Sequence, residues 1–186
     1  MTLPSSAWRA VLLAGGRSSR MGTDKAALPW GDGTLLTHMR ALLIAAGADE
    51  VIVSGDRPAL GGVPDATPDT GPMGALAQLA PRLCDGAWIV VPVDMPLLSV
   101  GLLHALLMAD AACACVKGHP LPMALRLDTP VRAKVKEIGA RAGRERSLHA
   151  LQQELHAQAL PAPSWQDALR NCNTPDDWAT LQRLMR

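Results

Sequence analysis

The 186-residue chain contains no tyrosine and no phenylalanine; five tryptophans are its only aromatic residues of that kind. Its core must therefore be built from Leu, Val, Ile, Ala and Met around those tryptophans, and stacking of a base on a Tyr or Phe ring is excluded. A basic excess is also missing. Eighteen Lys and Arg stand against 17 Asp and Glu, a net charge of +1. That balance lacks the cationic footprint of a nucleic-acid partner, so any positive site must be local. No apolar run approaches the ~20 residues that cross a bilayer, and Met1 to Arg9 has no long apolar core behind a basic start. Neither a membrane partner nor a secretory signal is expected. The four cysteines, Cys84, Cys113, Cys115 and Cys172, form no C-x-x-C pair, and Cys113 and Cys115 alternate along a strand-like segment. This speaks against structural zinc and against a disulfide framework, and for a reduced, cytoplasmic setting.

Hydrophobic residues make up 48% and charged residues 19% of the chain, a globular balance. The length fits one domain spanning residues 1–186. Strands are read at Arg9–Leu13, Val51–Val53, Trp88–Val91, Ala112–Val116 and Met123–Leu127, the last two joined by the turn Lys117–Pro120. Helical faces are read at Leu35–Ala46 (ending at Gly47), Met73–Leu83, Leu102–Ala109, Val131–Ile138 and Leu148–His156. A last helix runs from Pro175 to the end with Thr174 as its cap. The alternation predicts a three-layer αβα domain, doubly wound on a mainly parallel, Rossmann-like sheet, with the later strand pair antiparallel at one side.

The strongest local signal is Val11–Lys25, VLLAGGRSSRMGTDK. An apolar run, read as a buried strand, breaks at Gly15-Gly16 into a loop carrying Arg17, Arg20, Gly22 and Lys25. Backbone N–H groups and cations gathered this way suit a polyphosphate. The loop is not a Walker motif, because Gly22 is followed by Thr23-Asp24-Lys25. Nor is it a G-x-G-x-x-G dinucleotide fingerprint. A second signal is VVPVDMPLL, Val90–Leu98, which places Asp94 just beyond a buried strand, at the edge where open α/β sheets bind ligands. A carboxylate there can hold a magnesium ion that also takes phosphate oxygens; alone, it could equally cap a turn before Pro96.

Other positions stay open on the residues alone. Asp65 suits a ribose hydroxyl or a turn. Asp69–Gly74 opens a helix where a ligand could approach, or merely punctuates it. His119 lies in the turn between two strands. Arg144 and Arg146 precede a helix, where they could meet an anionic second substrate or remain solvated. Asn171 and Asn173 stand where amides either cap a helix or receive a substrate.

Taken together, Leu13–Gly16, Arg20–Gly22, Asp24-Lys25, Asp69–Gly74, Val93–Pro96, His119-Pro120 and Asn171–Pro175 resemble, nearly end to end, the molybdenum cofactor guanylyltransferases of the MobA-like nucleotidyltransferase group. The similar cytidylyltransferases usually have Ala-Ala-Gly in the first loop and an acidic final motif, so Gly15, Asn171 and Asn173 favour guanine. There are two departures. Ser54 stands where some members have a nucleotide-contacting Asn, and the spacing from Met21 to Asp24 is one residue shorter than in some.

The resemblance implies that GMP passes from GTP to the terminal phosphate of molybdenum-molybdopterin, releasing pyrophosphate. It implies GTP contacts at Leu13, Ala14, Gly15, Lys25 and Asp65, and GTP and Mg2+ contacts at Asp94. Phosphate or pterin contacts would fall at Arg20, Arg146, Asn171 and Asn173. Molybdopterin-loading proteins and molybdoenzyme chaperones are the transient partners it suggests.

An ionised phosphate nucleophile needs no Ser-His-Asp or Cys-His pattern, and none is evident in the sequence. Catalysis would then be positioning and charge neutralisation. Gly15, Gly16 and Gly22 would let the backbone wrap the triphosphate, Arg20 and Lys25 would neutralise it, and Asp94 would hold the metal. Two rival readings use the same residues. One is a cytidylyltransferase of the same pathway or a sugar-phosphate nucleotidyltransferase; the other is a catalytically silent nucleotide-binding scaffold.

Overall fold

Six consecutive residues, Trp8–Leu13, form β1 and are almost wholly buried. Ala10 and Leu12 pack on one face of the sheet, Val11 and Leu13 on the other. A strand apolar on both faces belongs inside a parallel sheet with helices on each side, and β1 has that position in the computed structural model, which describes residues 7–15, 24–67 and 70–184. A short antiparallel ribbon follows, β2 (Pro29–Trp30) and β3 (Gly33–Thr34). The remaining strands are β4 (Glu50–Ser54), β5 (Gly86–Pro92), β6 (Cys113–Val116), β7 (His119–Leu127) and β8 (Gln158–Leu160), and the main sheet has the order β4-β1-β5-β7-β6-β8. Val11 registers with Ile52 of β4 and Val90 of β5, both parallel.

The antiparallel pair expected at one side is β6 with β7, and only one of its two strands runs against the rest of the sheet. β7 is antiparallel to both β5 and β6, while β6 is parallel to β8. A single reversed strand therefore lies inside the sheet. The carboxyl ends of β1, β4, β5 and β6 share one edge, and β7 starts there.

Helices α1 (Leu35–Ala45), α3 (Val100–Leu107) and α6 (Pro175–Leu184) cover the face of Leu12 and Ile89 with Met39, Leu43, Leu103 and Leu181. On the opposite face, α2 (Gly71–Leu79), α4 (Thr129–Gly139) and α5 (Leu148–Glu154) cover Val11 and Val90 with Leu76, Val135 and Leu151. This is the expected three-layer αβα arrangement. Thr34 and Thr37 form a reciprocal cap at the start of α1. At its end, Gly47 takes φ +99° while Gly47 N–H and Ala48 N–H return to the Ile44 and Leu43 carbonyls. That left-handed closure is the stop signal the sequence carries.

α2 is shorter than its apolar pattern suggests. Pro81 has no N–H, and residues Ala80–Arg82 continue as a 3-10 turn. α5 also stops early, at Glu154. Among the described residues no helix is long and apolar enough to cross a membrane.

Candidate active site

β1 leads straight into the site. Ala14 N–H donates to the Ser54 carbonyl at 2.8 Å, and Val93 N–H to the Leu13 carbonyl at 3.0 Å, so the three strand ends stay in register beyond the sheet. Gly55 follows β4 at φ +124°. A Cβ there would lie 2.8 Å from the Gly15 nitrogen, so only glycine admits this approach of two backbones. Gly15 is crowded in turn: its own Cβ would meet the Asp65 carboxylate at 2.9 Å. Leu13, Gly15, Ser54, Asp65 and Pro72 thus border a small pocket of about 100 Å3. It adjoins a cleft of about 200 Å3 lined by Leu13, Ala14, Gly15, Lys25 and Asp94 among others.

Lys25, Asp94 and Asn173, far apart in the chain, meet at that cleft. Lys25 Nζ donates to Asp94 Oδ2 at 2.9 Å and to Asn173 Oδ1. The Lys25 and Asp94 side chains are only 16% and 17% exposed, so solvent screens their attraction less than that of a surface pair. Each is held from behind. Asp24 caps the turn Lys25–Ala27 through Ala26 N–H. The Cys172 N–H donates to the Asp94 carbonyl at 2.9 Å.

Asp177 accepts from the backbone N–H groups of Asn173 and Thr174, while Thr174 Oγ1 accepts from Asp177 N–H. Hydrogen bonding from Thr174, then from these amides, with the Lys25 charge adding to it, holds the Asp177 carboxyl below its ordinary range. Its contribution to stability is therefore present above the ordinary carboxylate pKa and lost as pH falls through the lowered value. The helix cap is thus Thr174, as the sequence reading has it. Asn173 points its amide at Lys25 instead of capping. Among the described residues Asn171 Oδ1 is buried with no hydrogen-bond partner, an acceptor open to a water or to a bound donor. Burial, then the Asp94 charge, pushes the Cys172 thiol up to about 11; it stays protonated at neutral pH and is no nucleophile.

Sequence reasoning misses one residue here. Arg57, three positions past β4, grips both carboxylate oxygens of Asp24, one at 2.7 Å, and its Nη2 also donates to the Ala14 carbonyl at 2.9 Å. It ties the end of β1 to the turn that carries Lys25. The available signal was an arginine just past the carboxyl end of a strand neighbouring the glycine-rich loop. Arg57→Ala should let Lys25 drift and lower turnover on the order of ten- to a hundredfold, because small misplacements of a charged group are that expensive. Arg57→Lys should recover only part of this, since an ammonium cannot grip a carboxylate bidentately. Steady-state kinetics of the two variants, with circular dichroism to verify folding, checks both statements.

The structure brings together Leu13, Ala14, Gly15, Lys25, Asp65, Asp94 and Asn173, with Asn171 beside them in sequence. Arg146 is not joined to this group: it follows the 3-10 turn Gly143–Glu145, half-buried and with no hydrogen bond or ion pair to Lys25, Asp94 or Asn173. Gly16, Arg20, Gly22 and Asp69 lie outside the described residues. His119 is the first residue of β7, not part of a turn.

Residues 10–177 match the family of MobA-like NTP transferase domains. The chain belongs to that family. It is 48% identical over 177 residues, 94% of each chain, to a protein of Xanthomonas euvesicatoria pv. vesicatoria named molybdenum cofactor guanylyltransferase. Two crystal structures share its fold. The Mycobacterium tuberculosis protein Rv0371c has a TM-score of 0.74 at 19% identity, covering 96% of this chain and 99% of its own. The molybdopterin-guanine dinucleotide biosynthesis protein A of Archaeoglobus fulgidus has a TM-score of 0.73 at 16% identity, covering 95% and 98%. This member of the family is a nucleotidyltransferase, and the edge where Lys25 meets Asp94 is its candidate centre.

Proposed function

We propose that this chain transfers GMP from GTP to the terminal phosphate of molybdenum-molybdopterin, forming the guanine dinucleotide cofactor and pyrophosphate, within one catalytic domain spanning residues 1–186 and in the cytoplasm. The observation that carries the reading is the meeting of Lys25, Asp94 and Asn173 beside the Leu13–Gly15 backbone, in a chain nearly half identical to a protein named for that activity. The reaction presses an anionic phosphate against an anionic triphosphate, so its barrier is chiefly electrostatic. Gly15 keeps the backbone accessible at the first loop, and Asp65 lies where a ribose hydroxyl can be received. Lys25 sets a positive charge against the phosphates, and Arg20 and Gly22 would complete that loop. Asn171 and Asn173 orient the acceptor's phosphate end. Ser54 stands where some members of the family have an Asn, with a long 3.5 Å hydrogen bond to Asp65.

Asp94 suits a magnesium ion. Its Oδ2 pairs with Lys25, its Oδ1 has no partner among the described residues, and one carboxylate plus phosphate oxygens is a set this ion accepts. When bound, Mg2+ supplies Lewis-acid neutralisation of phosphate charge. No described cysteine or histidine is needed as a nucleophile.

Incubation with Mg-GTP and molybdenum-loaded molybdopterin should yield the guanine dinucleotide by mass spectrometry with one pyrophosphate per product. In a GTP/CTP competition, guanine should dominate. Equal incorporation of both nucleotides would overturn the base assignment, and tight GTP binding without transfer would favour the silent scaffold.

A further inference from the structure

A larger cavity, about 520 Å3, lies apart from the Lys25 cleft, over β6 and β8 beside α5, within the size range of small-molecule sites. Three of the chain's five histidines, His119, His149 and His156, line it, with Gln152 at its wall and Lys117 at its rim. The rings do not form a metal cage: among the described residues no three His, Cys, Asp or Glu side chains are grouped as a metal would require. They are instead the natural ring surfaces for a flat ligand here, because the chain has no Tyr or Phe and no tryptophan lines this cavity.

Two further observations point to a ligand. Gln152 is only 7% exposed, and its Nε2 is anchored by the Pro120 carbonyl at 2.9 Å. Its Oε1 accepts from no described residue, leaving an acceptor at the wall of the cavity. His156 holds φ +49°, the one described non-glycine residue with positive φ. It closes α5 as Gly47 closes α1, with His156 N–H returning to Gln153 and Ala157 N–H to Gln152 at 2.8 Å. Glycine takes this conformation without strain, so a side chain kept there at a cost in stability calls for a use.

We propose that this cavity seats the planar heterocycle of the acceptor, the pterin, between histidine rings, with Gln152 Oε1 receiving an N–H from its edge; the assignment rests on the function proposed above. The position fits. Lys117 in the turn after β6, and His119 at the start of β7, lie at the carboxyl edge of the sheet. Pro120 lines the cavity and the next residue, Leu121, lines the Lys25 cleft, so one strand segment separates heterocycle from reacting phosphate.

The test is a fluorescence-polarisation titration of full-length protein with 6-hydroxymethylpterin, a probe that needs no turnover. Wild type should bind it saturably, and excess guanosine should not displace it. His156→Gly should keep or raise the melting temperature, so the variant folds, yet bind the pterin about tenfold more weakly, the loss typical of a deleted stacking partner. Ala159→Trp, which fills the cavity from β8, should abolish binding while GTP affinity stays within about twofold of wild type. No saturable pterin binding by wild type, unchanged binding in both variants, or displacement by guanosine would each overturn the assignment. Guanylyl transfer assays separate this from the underlying reading. An active enzyme whose acceptor KM is unmoved by Ala159→Trp loses the cavity assignment alone. A chain that binds pterin at this cavity but transfers no nucleotide loses the proposed reaction alone.

Discussion

Asp94→Ala should lower guanylyl transfer by about a hundred- to a thousandfold, roughly 3–4 kcal/mol of transition-state stabilisation, and leave the protein folded. Folding should survive because Asp94 lies past the end of β5, whose buried residues Trp88, Ile89, Val90 and Val91 remain. Activity should not, because the substitution removes the carboxylate proposed to hold the metal and the anionic partner of Lys25 together. Asp94→Asn distinguishes the two losses. Its amide oxygen can still accept from Lys25, so the geometry of the cluster is preserved while the charge is gone. If charge at the metal is the essential contribution, the asparagine variant is nearly as slow as the alanine variant, and raising magnesium recovers little in either. Transfer assays at saturating GTP over a magnesium series decide this; an asparagine variant close to wild type would show that Asp94 acts only by holding Lys25 in place.

The elements that the sequence displays best are those whose pattern is local. β1 and β5 are continuous apolar runs with ligand-type residues at their carboxyl ends, so the meeting of Lys25 and Asp94 could be anticipated from residue type and place alone. Thr174 and Gly47 read correctly because a cap is decided within a few neighbours. The antiparallel pairing of β6 with β7 read correctly as well, but which of the two is reversed, and β8 beyond them, did not. Nothing local says which strand of an antiparallel pair runs against the rest of the sheet, and β7 is buried over Leu121–Leu125 much as β5 and β6 are. β8, three residues long, is paired to β6 with no periodic pattern of its own. Arg57 was hidden for a different reason. A loop arginine acquires meaning only when folding brings Asp24 and the Ala14 carbonyl to it. The cavity histidines likewise come from separate segments, and His156 looked like the continuation of a helix that in fact ends at Glu154.

Lys25→Met should cost catalysis on the same scale as Asp94→Ala, but its diagnostic value lies in the pair. A positive charge placed against phosphates in a cleft from which water is partly excluded acts most strongly where negative charge develops, so kcat should fall more than GTP KM rises. Lys25→Arg keeps the charge but replaces a compact ammonium with a planar, longer fork whose donors lie elsewhere; it should recover only part of the rate. In stability, Lys25→Met strands a largely buried carboxylate, at ~1–3 kcal/mol. The double variant Lys25→Met/Asp94→Asn removes both charges and should unfold at a higher temperature than Lys25→Met alone. In rate, residues in direct contact that serve one centre lose little more together than the worse single change. A double variant whose rate loss equals the product of the two single losses would mean that Lys25 and Asp94 act independently, and the ion pair at 2.9 Å would then be only structural.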